Sequence, residues 1–438
     1  MCSAPHGRCM TQTTKEARPE PRAQGRTPLR APKTVSGRGV RRDADDDLGG
    51  RTDAGRGAPA HTIEPLRPER GRDGAGAAGE EPAATVAPPG LKGLVVADTR
   101  VGAVRGAEGF YHYRGQDAAA LAEAEPFEAV AHLLLEGRMP KTAEERDRFG
   151  AALGAARARA FGRLGATRTL RGSLAEVLDD VPTLDQTPAL RRAAVLEAVG
   201  ALPVLVAALH RRAVGRPPVA PDPALGHAED FLRMVHGRPP SAAQAEALGT
   251  YLALTLDHGM NASTFTVRVI TSTGASVSAA MLGGLAALSG PLHGGAPGRV
   301  LEMLEAIGGP EDAPAWAEAR LAEGAKLMGF GHAVYRAEDP RSRTLARVAR
   351  RFEDPLVARA AAIEEALLAT LRAHKPGAAI VTNVEYWAGV VLHLSGLPRA
   401  LFTPTFAVSR AFGWGAHLLE EAERGKILRP SARYVGSA

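Results

Sequence analysis

Apolar residues recur at the spacing of an α-helix along most of the chain beyond its N-terminal segment. Residues 127–136 (FEAVAHLLLE) follow this spacing, and Gly137 after them predicts that the helix ends there. The Ala/Leu/Gly-rich run 277–288 predicts a buried helix, and Gly290 and Pro291 predict its end. These segments favour a core built from packed helices.

Helix-start signals and alternating stretches add further elements. Residues 142–145 (TAEE) and 241–244 (SAAQ) have the pattern of a capping box, in which two side chains satisfy the first backbone N–H groups of a helix. Residues 94–101 and 109–115 alternate apolar and polar positions and predict a small β-hairpin. The predicted fold class is therefore mainly α, with a minor N-terminal hairpin.

Prolines divide the middle of the chain. Residues 191–212 predict a pair of helices that separate at Pro203, because proline removes a backbone donor and clashes with the preceding turn. Residues 216–223 (RPPVAPDP) predict a rigid, polyproline-like connector. We interpret no apolar run as long enough to span a membrane, so a membrane is not an expected partner.

The composition agrees with a helical core. The chain has 438 residues, of which 45% are hydrophobic and only 5% aromatic. Ala, Leu and Val must therefore supply most of the packing, which favours helix–helix contacts over a β-sandwich. Both cysteines, Cys2 and Cys9, lie near the N-terminus, so the globular part has no disulfide framework and no cysteine metal site. A cytoplasmic location is expected.

The first 89 residues differ in composition from the rest. They are rich in Arg, Pro, Gly, Ala and Asp and have almost no large apolar side chains, which predicts a disordered tail. Acidic residues such as Asp45 interrupt the basic pattern, which is atypical of a transit peptide. Part of the formal net charge of +6 lies in this tail, so the charge alone does not predict nucleic-acid binding.

Four segments of the C-terminal half place polar groups beside glycine turns. They are residues 256–264 (LDHGMNAST), 289–297 (SGPLHGGAP), 329–341 (GFGHAVYRAEDPR) and 382–389 (TNVEYWAG). None of the histidines in these segments has a second histidine at a short metal-binding spacing, so no metal site is predicted. Histidines with a carboxylate suit acid–base and oxyanion chemistry, and the arginines suit capture of a multi-carboxylate substrate.

Each of these residues has a simpler interpretation when it is taken alone. His293 also fits a histidine that is satisfied within a turn. Glu385 also fits a helix-capping residue or one partner of a buried ion pair. The functional interpretation depends on the occurrence of all four segments together.

Together, the motifs GPLHGG, GFGHAVYRAEDPR and NVE-YW-AGV, preceded by DHGMNASTF, resemble those of citrate synthases. The resemblance covers the chain from about Gly90 to Tyr434, which is essentially everything except the tail. Glu385, together with the ending 429–435 (RPSARYV), is similar to the branch often named citrate synthase 2. The implied activity is condensation of acetyl-CoA with oxaloacetate, followed by hydrolysis of citryl-CoA, as in the tricarboxylic acid cycle.

The resemblance implies a two-domain helical fold and a homodimer. A large helical domain is expected to comprise residues 90–292 and 404–438. A small helical domain is expected to comprise residues 293–403. The site is expected in the cleft between the two domains, where binding pockets are common.

The resemblance also implies roles for individual residues. His293 is expected to hydrogen-bond the thioester oxygen of acetyl-CoA, and His332 to polarise the ketone of oxaloacetate. Glu385 stands where the family usually has the aspartate that removes the methyl proton. The residues expected to hold oxaloacetate, directly or in support, are His258, Arg341, Arg410, Asn261, Asn383 and Arg429, which in the family reaches in from the other subunit. The residues expected at the CoA adenine are Lys326, Gly329, Phe330 and Gly331.

No permanently bound cofactor is expected, since the coenzyme A thioester is a co-substrate. Three positions depart from the common pattern, namely Glu385 in place of aspartate, Gly259 in place of glutamate and Thr255 in place of a further histidine. One alternative is 2-methylcitrate synthase, which uses propionyl-CoA, because one methylene changes discrimination by only about 1–3 kcal/mol. Two others are a weakly catalytic protein that binds oxaloacetate or acyl-CoA, and a DNA-binding protein that uses the basic tail.

Overall fold

Fifteen α-helices and one three-stranded sheet make up the part of the chain that the structure, a computed structural model, describes: residues 86–291, 293, 297–331, 335 and 337–437. The strands are β1 (Gly102–Arg105), β2 (Phe110–Tyr113) and β3 (Gln116–Asp117). The helices are α1 (Ala118–Ala124), α2 (Phe127–Glu136), α3 (Ala143–Gly162), α4 (Leu170–Val177), α5 (Pro188–Ala213), α6 (His227–His236), α7 (Ala242–Thr255), α8 (Ala262–Ser272), α9 (Val277–Leu288), α10 (Pro297–Ile307), α11 (Ala313–Ala322), α12 (Pro340–Ala349), α13 (Pro355–His374), α14 (Val384–Leu394) and α15 (Phe402–Arg424). The mainly α fold class is confirmed.

The sheet is an antiparallel meander in the order β1-β2-β3. The prediction that residues 94–101 form its first strand is wrong, since β1 begins at Gly102 and pairs with Tyr113 at the far end of β2. The turn at Arg114 and Gly115, where φ is positive at both residues, ends β2 after four residues. Residues 94–101 therefore lie beyond the end of β2, the strand with which β1 pairs.

Several predicted helices are confirmed. The helix over 127–136 ends at Gly137, which adopts the left-handed conformation, and the helix over 277–288 has the predicted bounds. Before α7, the Ser241 hydroxyl accepts from the backbone of Gln244, and the Gln244 side chain accepts from the backbone of Ser241, which is a complete capping box.

The predicted break at Pro203 is absent, since α5 is one helix of 26 residues with Pro203 inside it. Pro203 and its neighbours Leu202 and Val204 are buried, and this packing outweighs the cost of one proline. An 18-residue window of α5 has a mean hydropathy of 1.9, so by length and composition the helix is able to cross a membrane, contrary to the sequence interpretation. However, 67% of that window is buried inside the structure, as in a core helix.

Close packing of α8, α9 and α15 forms the base of the site. A Cβ atom on Gly284 of α9 would lie 2.8 Å from Val267 and 2.9 Å from the Trp414 ring. A Cβ atom on Gly413 of α15 would lie 2.3 Å from the carbonyl oxygen of Leu256. Only glycine permits these approaches, which bring Trp414 and the end of α7 to the same place.

Two predictions of organisation stay predictions. The division at residues 293 and 404 into a large and a small domain is one of them. The disordered tail is the other, since all but the last four of residues 1–89 lie outside the described residues.

Candidate active site

His293 is held against the first turn of α8. Its Nε2 atom lies 2.9 Å from the Ser263 hydroxyl and 3.3 Å from the backbone nitrogen of Ser263. The same hydroxyl accepts a hydrogen bond from Nε1 of buried Trp414 at 3.1 Å and lies 2.8 Å from Oδ1 of Asn261. Ser263 therefore holds Nε2 of His293 through both its backbone and its hydroxyl.

This contact determines which nitrogen of His293 carries the proton. A backbone N–H can only donate, so the amide of Ser263 makes Nε2 an acceptor and leaves the proton of the neutral ring on Nδ1. The single hydroxyl hydrogen of Ser263 then serves either Nε2 or Oδ1 of Asn261. Burial, followed by the charge of Arg410, lowers the pKa of His293. The ring is therefore neutral at neutral pH, with an Nδ1–H group able to donate.

Asn261 supports this arrangement from the cap of α8. Its Oδ1 atom accepts from the backbone nitrogen of Thr264 at 3.0 Å, and its Nδ2 atom donates to the carbonyl of Gly259 at 3.2 Å. Its side chain is thus engaged in the protein, and its supporting role at the site stays a prediction.

His258 lies in an aromatic cluster beside Arg341. Its Nε2 atom is 2.9 Å from the hydroxyl of buried Tyr335, and its ring packs against Tyr111 and Tyr335 at centroid distances of 5.6 and 5.5 Å. The guanidinium of Arg341 lies 6.0 Å from the Tyr111 ring and 5.7 Å from the Tyr335 ring. Two substrate-binding candidates are therefore held by the same pair of tyrosines.

The loop that carries His258 is anchored by a buried row of charges. Asp257 accepts from the backbone of Gly259 at 3.2 Å, and its other oxygen lies 3.3 Å from Nε2 of His417. Nδ1 of His417 accepts from Nε of Arg268 at 3.0 Å, and Arg268 pairs with Glu421. Burial raises the pKa of Asp257, but the nearby His417, the positive charge of Arg410 and the hydrogen bond from Gly259 together outweigh burial and lower it, so Asp257 stays ionised.

Arg410 is the second buried arginine of the site. It is 2% exposed, its Nε atom donates to the carbonyl of Thr255 at 3.0 Å, and its guanidinium lies 4.5 Å from the Phe406 ring. Among the described residues it has no ion pair. Burial lowers its pKa, and the negative charge of Asp257 opposes that change. A buried cation of this kind suits a carboxylate ligand.

Glu385 lies in the first turn of α14, and its side chain is half-buried. Its carboxylate has no hydrogen bond or ion pair with any residue that the structure describes, although its backbone nitrogen donates to Oδ1 of Asn383 at 3.0 Å. Burial raises its pKa, while the positive charges of Arg341 and Arg299 lower it and the negative charge of Asp339 raises it. Glu385 is therefore available as a base.

Three of these groups influence the hydroxyl of buried Tyr251. Burial raises the pKa of that hydroxyl. The positive charges of Arg410 and Arg341 lower the pKa, and the negative charge of Glu385 raises it.

Asn383 connects Glu385 to the predicted CoA segment. Its Nδ2 atom donates to the carbonyl of Gly331 at 2.9 Å, and its backbone nitrogen donates to the carbonyl of Gly329 at 2.9 Å. On the outer side of this segment is a cavity of about 520 Å³. Its lining includes three of the predicted CoA-binding residues, Lys326, Phe330 and Gly331.

The remaining two predicted residues are His332 and Arg429. His332 lies outside the described residues. Arg429 is exposed, in the extended segment that follows α15, so within one chain it does not join the site. The expectation that the site holds no metal stays a prediction.

A family model described as the C-terminal domain of citrate synthase matches residues 90–431, most of the chain. The chain belongs to the citrate synthase family. The motifs that predicted this membership therefore identified the family correctly.

This chain is similar to relatives named citrate synthase and to relatives named 2-methylcitrate synthase. A Mycobacterium tuberculosis protein provisionally named citrate synthase 2 is 51% identical over 197 residues, which cover 45% of this chain and 53% of that protein. The match thus spans about half the length of that relative. A 2-methylcitrate synthase of M. tuberculosis is 36% identical over 79% of this chain and 90% of its own length. A Deinococcus radiodurans citrate synthase is 34% identical over 80% and 95%.

Solved citrate synthases have the same fold. The Thermotoga maritima enzyme matches with a TM-score of 0.67 and 31% identity, over 80% of this chain and 95% of its own. The Thermoplasma acidophilum enzyme, solved as a ternary complex with carboxymethyl coenzyme A and oxaloacetate, matches with a TM-score of 0.71 and 27% identity, over 80% and 96%.

Sequence reasoning missed the residues that hold the candidates in place. Those residues are Ser263, Trp414, Tyr111, Tyr335, Asp257, His417, Arg268 and Asp339. Ser263, Asp257, Tyr335 and Asp339 lie inside the quoted motifs, so their position was a usable signal. Trp414 and His417 come from α15, about 150 residues from their partners, and spacing gives no sign of such contacts.

Proposed function

We propose that this protein condenses acetyl-CoA with oxaloacetate and hydrolyses the resulting citryl-CoA to citrate and coenzyme A. The observation that carries the proposal is the state of Glu385. Its carboxylate is half-buried and unpaired among the described residues, and the positive charges of buried Arg341 and of Arg299 act on it. A base that must remove a carbon-bound proton needs such a carboxylate.

In the proposed reaction Glu385 takes a methyl proton of the acetyl group. This proton is very weakly acidic, so transfer requires stabilisation of the negative charge that develops on the thioester oxygen. Nδ1–H of neutral His293 supplies that hydrogen bond. The enol carbon then attacks the ketone carbon of oxaloacetate, which His332 polarises and Arg341, Arg410 and His258 orient. Water finally hydrolyses the thioester.

The unpaired carboxylate also separates this proposal from a protein that only binds the ligands. A Glu385 engaged in a buried ion pair would favour the binding role, and the described residues give it no such partner. The relative named 2-methylcitrate synthase keeps propionyl-CoA as the second candidate donor.

The test is the release of coenzyme A with oxaloacetate, measured with a thiol reagent for acetyl-CoA and for propionyl-CoA. We expect the larger kcat/KM with acetyl-CoA. A preference for propionyl-CoA of tenfold or more, about 1.4 kcal/mol, would favour the methylcitrate reaction. Binding of both ligands without turnover would favour the protein that only binds.

We also propose a homodimer in which Arg429 completes the site of the other subunit. The segment after α15 is extended, and Ile427, Tyr434 and Val435 in it are 59%, 78% and 82% exposed. Apolar side chains at this exposure suit burial against a second copy. Light scattering should give the mass of a dimer, and Arg429→Ala should raise the KM for oxaloacetate while the dimer persists.

The proposal includes no permanently bound cofactor and a cytoplasmic location. The coenzyme A thioester is a co-substrate and leaves as a product. The Lys326–Gly331 segment is proposed to contact its adenine.

The pH profile should reflect the environment of Glu385. The base must be ionised, so kcat/KM falls as the pH falls through its pKa. Burial raises that pKa, with Arg341, Arg299 and Asp339 as the charged groups acting on it, so the acid limb is expected above the ordinary glutamate value of about 4.3. The acid limb is measured from steady-state values of kcat/KM between acid and neutral pH. A midpoint at or below the ordinary value would contradict the prediction.

Ser263→Ala should lower kcat by roughly fivefold. The change removes the hydroxyl that contacts Nε2 of His293 and accepts from Nε1 of Trp414, and one such hydrogen bond is worth about 1 kcal/mol, while the amide of Ser263 still fixes the tautomer. Thr266→Val is the matched control, since it removes a hydroxyl that bonds only to the same helix. Equal kcat values for the two variants would show that the hydroxyl does not orient His293.

A further inference from the structure

Asp339 is a buried carboxylate at the start of α12, with no assigned role in the site. It is 0% exposed and caps the helix by accepting from the backbone nitrogen of Arg341 at 3.1 Å. Its two oxygens accept three further hydrogen bonds. They come from Nε of Arg341 at 3.0 Å, Nη2 of Arg341 at 2.9 Å and the backbone nitrogen of Val384 at 2.9 Å.

These bonds join two parts of the site that are distant in sequence. Arg341 is one of the predicted oxaloacetate ligands. Val384 is the first residue of α14, and Glu385 follows it directly. One carboxylate therefore contacts both the guanidinium that would hold oxaloacetate and the backbone turn that carries the base.

We propose that Asp339 is a positioning residue that sets Glu385 at a fixed distance from Arg341, an inference that rests on the proposed function. Oxaloacetate held by Arg341 must present its ketone carbon to the carbon from which Glu385 removes a proton. A displacement of about 1 Å between the two can cost on the order of a hundredfold in rate. A rigid joint between α12 and α14 prevents that displacement.

Helix capping alone does not explain this carboxylate. Asp354 begins α13 in the same way, with a proline after it and one hydrogen bond, from the backbone of Leu356 at 2.8 Å. Asp354 is exposed and has no arginine partner that the structure describes. The burial of Asp339 and its three additional bonds are therefore features beyond those of a cap.

An asparagine at position 339 preserves the volume but not these bonds. Its single oxygen can still accept from the backbone and Nε of Arg341. Its NH₂ group would then face Nη2 of Arg341 and the N–H of Val384, which are both donors. Neither contact can then be a hydrogen bond, so both are lost.

The first test compares Asp339→Asn with Asp354→Asn. We expect Asp339→Asn to lower kcat/KM for oxaloacetate by about a hundredfold. Loss of its negative charge should also shift the acid limb to lower pH, with Arg341 and Arg299 as the remaining charges that act on Glu385. Asp354→Asn should change kcat/KM by no more than about twofold and should leave the acid limb in place. The reason is that an exposed capping bond contributes to stability and not to the rate.

The second test removes only the backbone bond, and it decides the question if Asp339→Asn does not fold. Proline is favoured at the first position of a helix, and Asn383 before it has the extended conformation (φ −94°, ψ 173°) that proline requires. Val384→Pro therefore deletes the N–H donor and preserves the helix, and Val384→Ala controls for the lost side chain. We expect Val384→Pro to lower kcat about tenfold relative to Val384→Ala, with oxaloacetate affinity within about twofold.

The outcomes separate this proposal from the proposed function. Equal kcat for Val384→Pro and Val384→Ala, or equal kcat/KM for the two Asp→Asn variants, overturns the positioning role. If the wild-type protein has no turnover, the proposed function fails by itself. Calorimetric binding of oxaloacetate to Asp339→Asn and Asp354→Asn then still tests whether Asp339 holds Arg341, and equal affinities overturn that claim.

Discussion

Replacing Glu385 by glutamine is expected to lower kcat for citrate formation by about a thousandfold or more. A general base contributes about 10²–10⁴-fold, and the carboxylate of Glu385 has no hydrogen bond or ion pair with any residue that the structure describes. Glutamine has nearly the same shape and cannot accept the methyl proton. The measurement is coenzyme A release at saturating concentrations of both substrates.

Glu364→Gln is the matched control. Glu364 is also a buried glutamate whose pKa is raised by burial, but its carboxylate accepts a hydrogen bond from Nε1 of Trp387 at 3.0 Å. We expect it to retain most of the activity. Comparable losses in the two variants would mean that removal of a buried carboxylate, and not of the base, explains the effect.

Stability provides a second readout for Glu385→Gln. Because burial raises the pKa of Glu385, the folded state binds its proton more tightly than the unfolded state does. Its contribution to stability is therefore largest at low pH and declines as the pH rises through the folded pKa. Glutamine has no such dependence, so the Tm at neutral pH should be unchanged or higher while activity is lost.

Shortening the base to aspartate tests whether α14 is placed for the longer side chain. Removing one methylene withdraws the carboxylate by roughly 1 Å, which can cost about a hundredfold. We expect Glu385→Asp to be slower than the wild type, although aspartate is the usual base of the family. A Glu385→Asp variant that is faster than the wild type would mean that α14 is not placed for the longer side chain.

Periodicity predicted the helices where it coincided with a local stop signal. The bounds of α2 and α9 follow from apolar spacing and from the stop signals Gly137, Gly290 and Pro291. It failed where tertiary packing decided the outcome. Pro203 was interpreted as a break, but its burial between neighbouring helices holds α5 straight through it.

The reacting groups assigned to the site stay predictions, while the contacts around them come from the structure. The motifs identified His258, His293 and Glu385 as candidates, and the resemblance supplied their predicted roles. They did not reveal that the Ser263 amide selects the tautomer of His293, or that Asp339 connects Arg341 to α14. Such contacts depend on the relative placement of helices far apart in sequence, and local pattern carries no information about that placement.

His293 variants are expected to separate the roles of its two ring nitrogens. An asparagine places its amide near the position of Nδ1, and a glutamine reaches the position of Nε2. Since the Ser263 N–H fixes Nε2 as the acceptor, the donor to the thioester oxygen must be Nδ1. Removing an oxyanion donor costs about 10²–10³-fold in kcat, which is the expected loss for His293→Gln.

His293→Asn should retain roughly tenfold more activity than His293→Gln, because its amide N–H can still reach the thioester oxygen. Ser263 remains in both variants, so the comparison depends only on which position keeps a donor. The KM for oxaloacetate should stay the same, since Arg341 and Arg410 are untouched. Greater activity in His293→Gln would place the donor at Nε2, and the contact between Ser263 and His293 would then require the hydroxyl to accept.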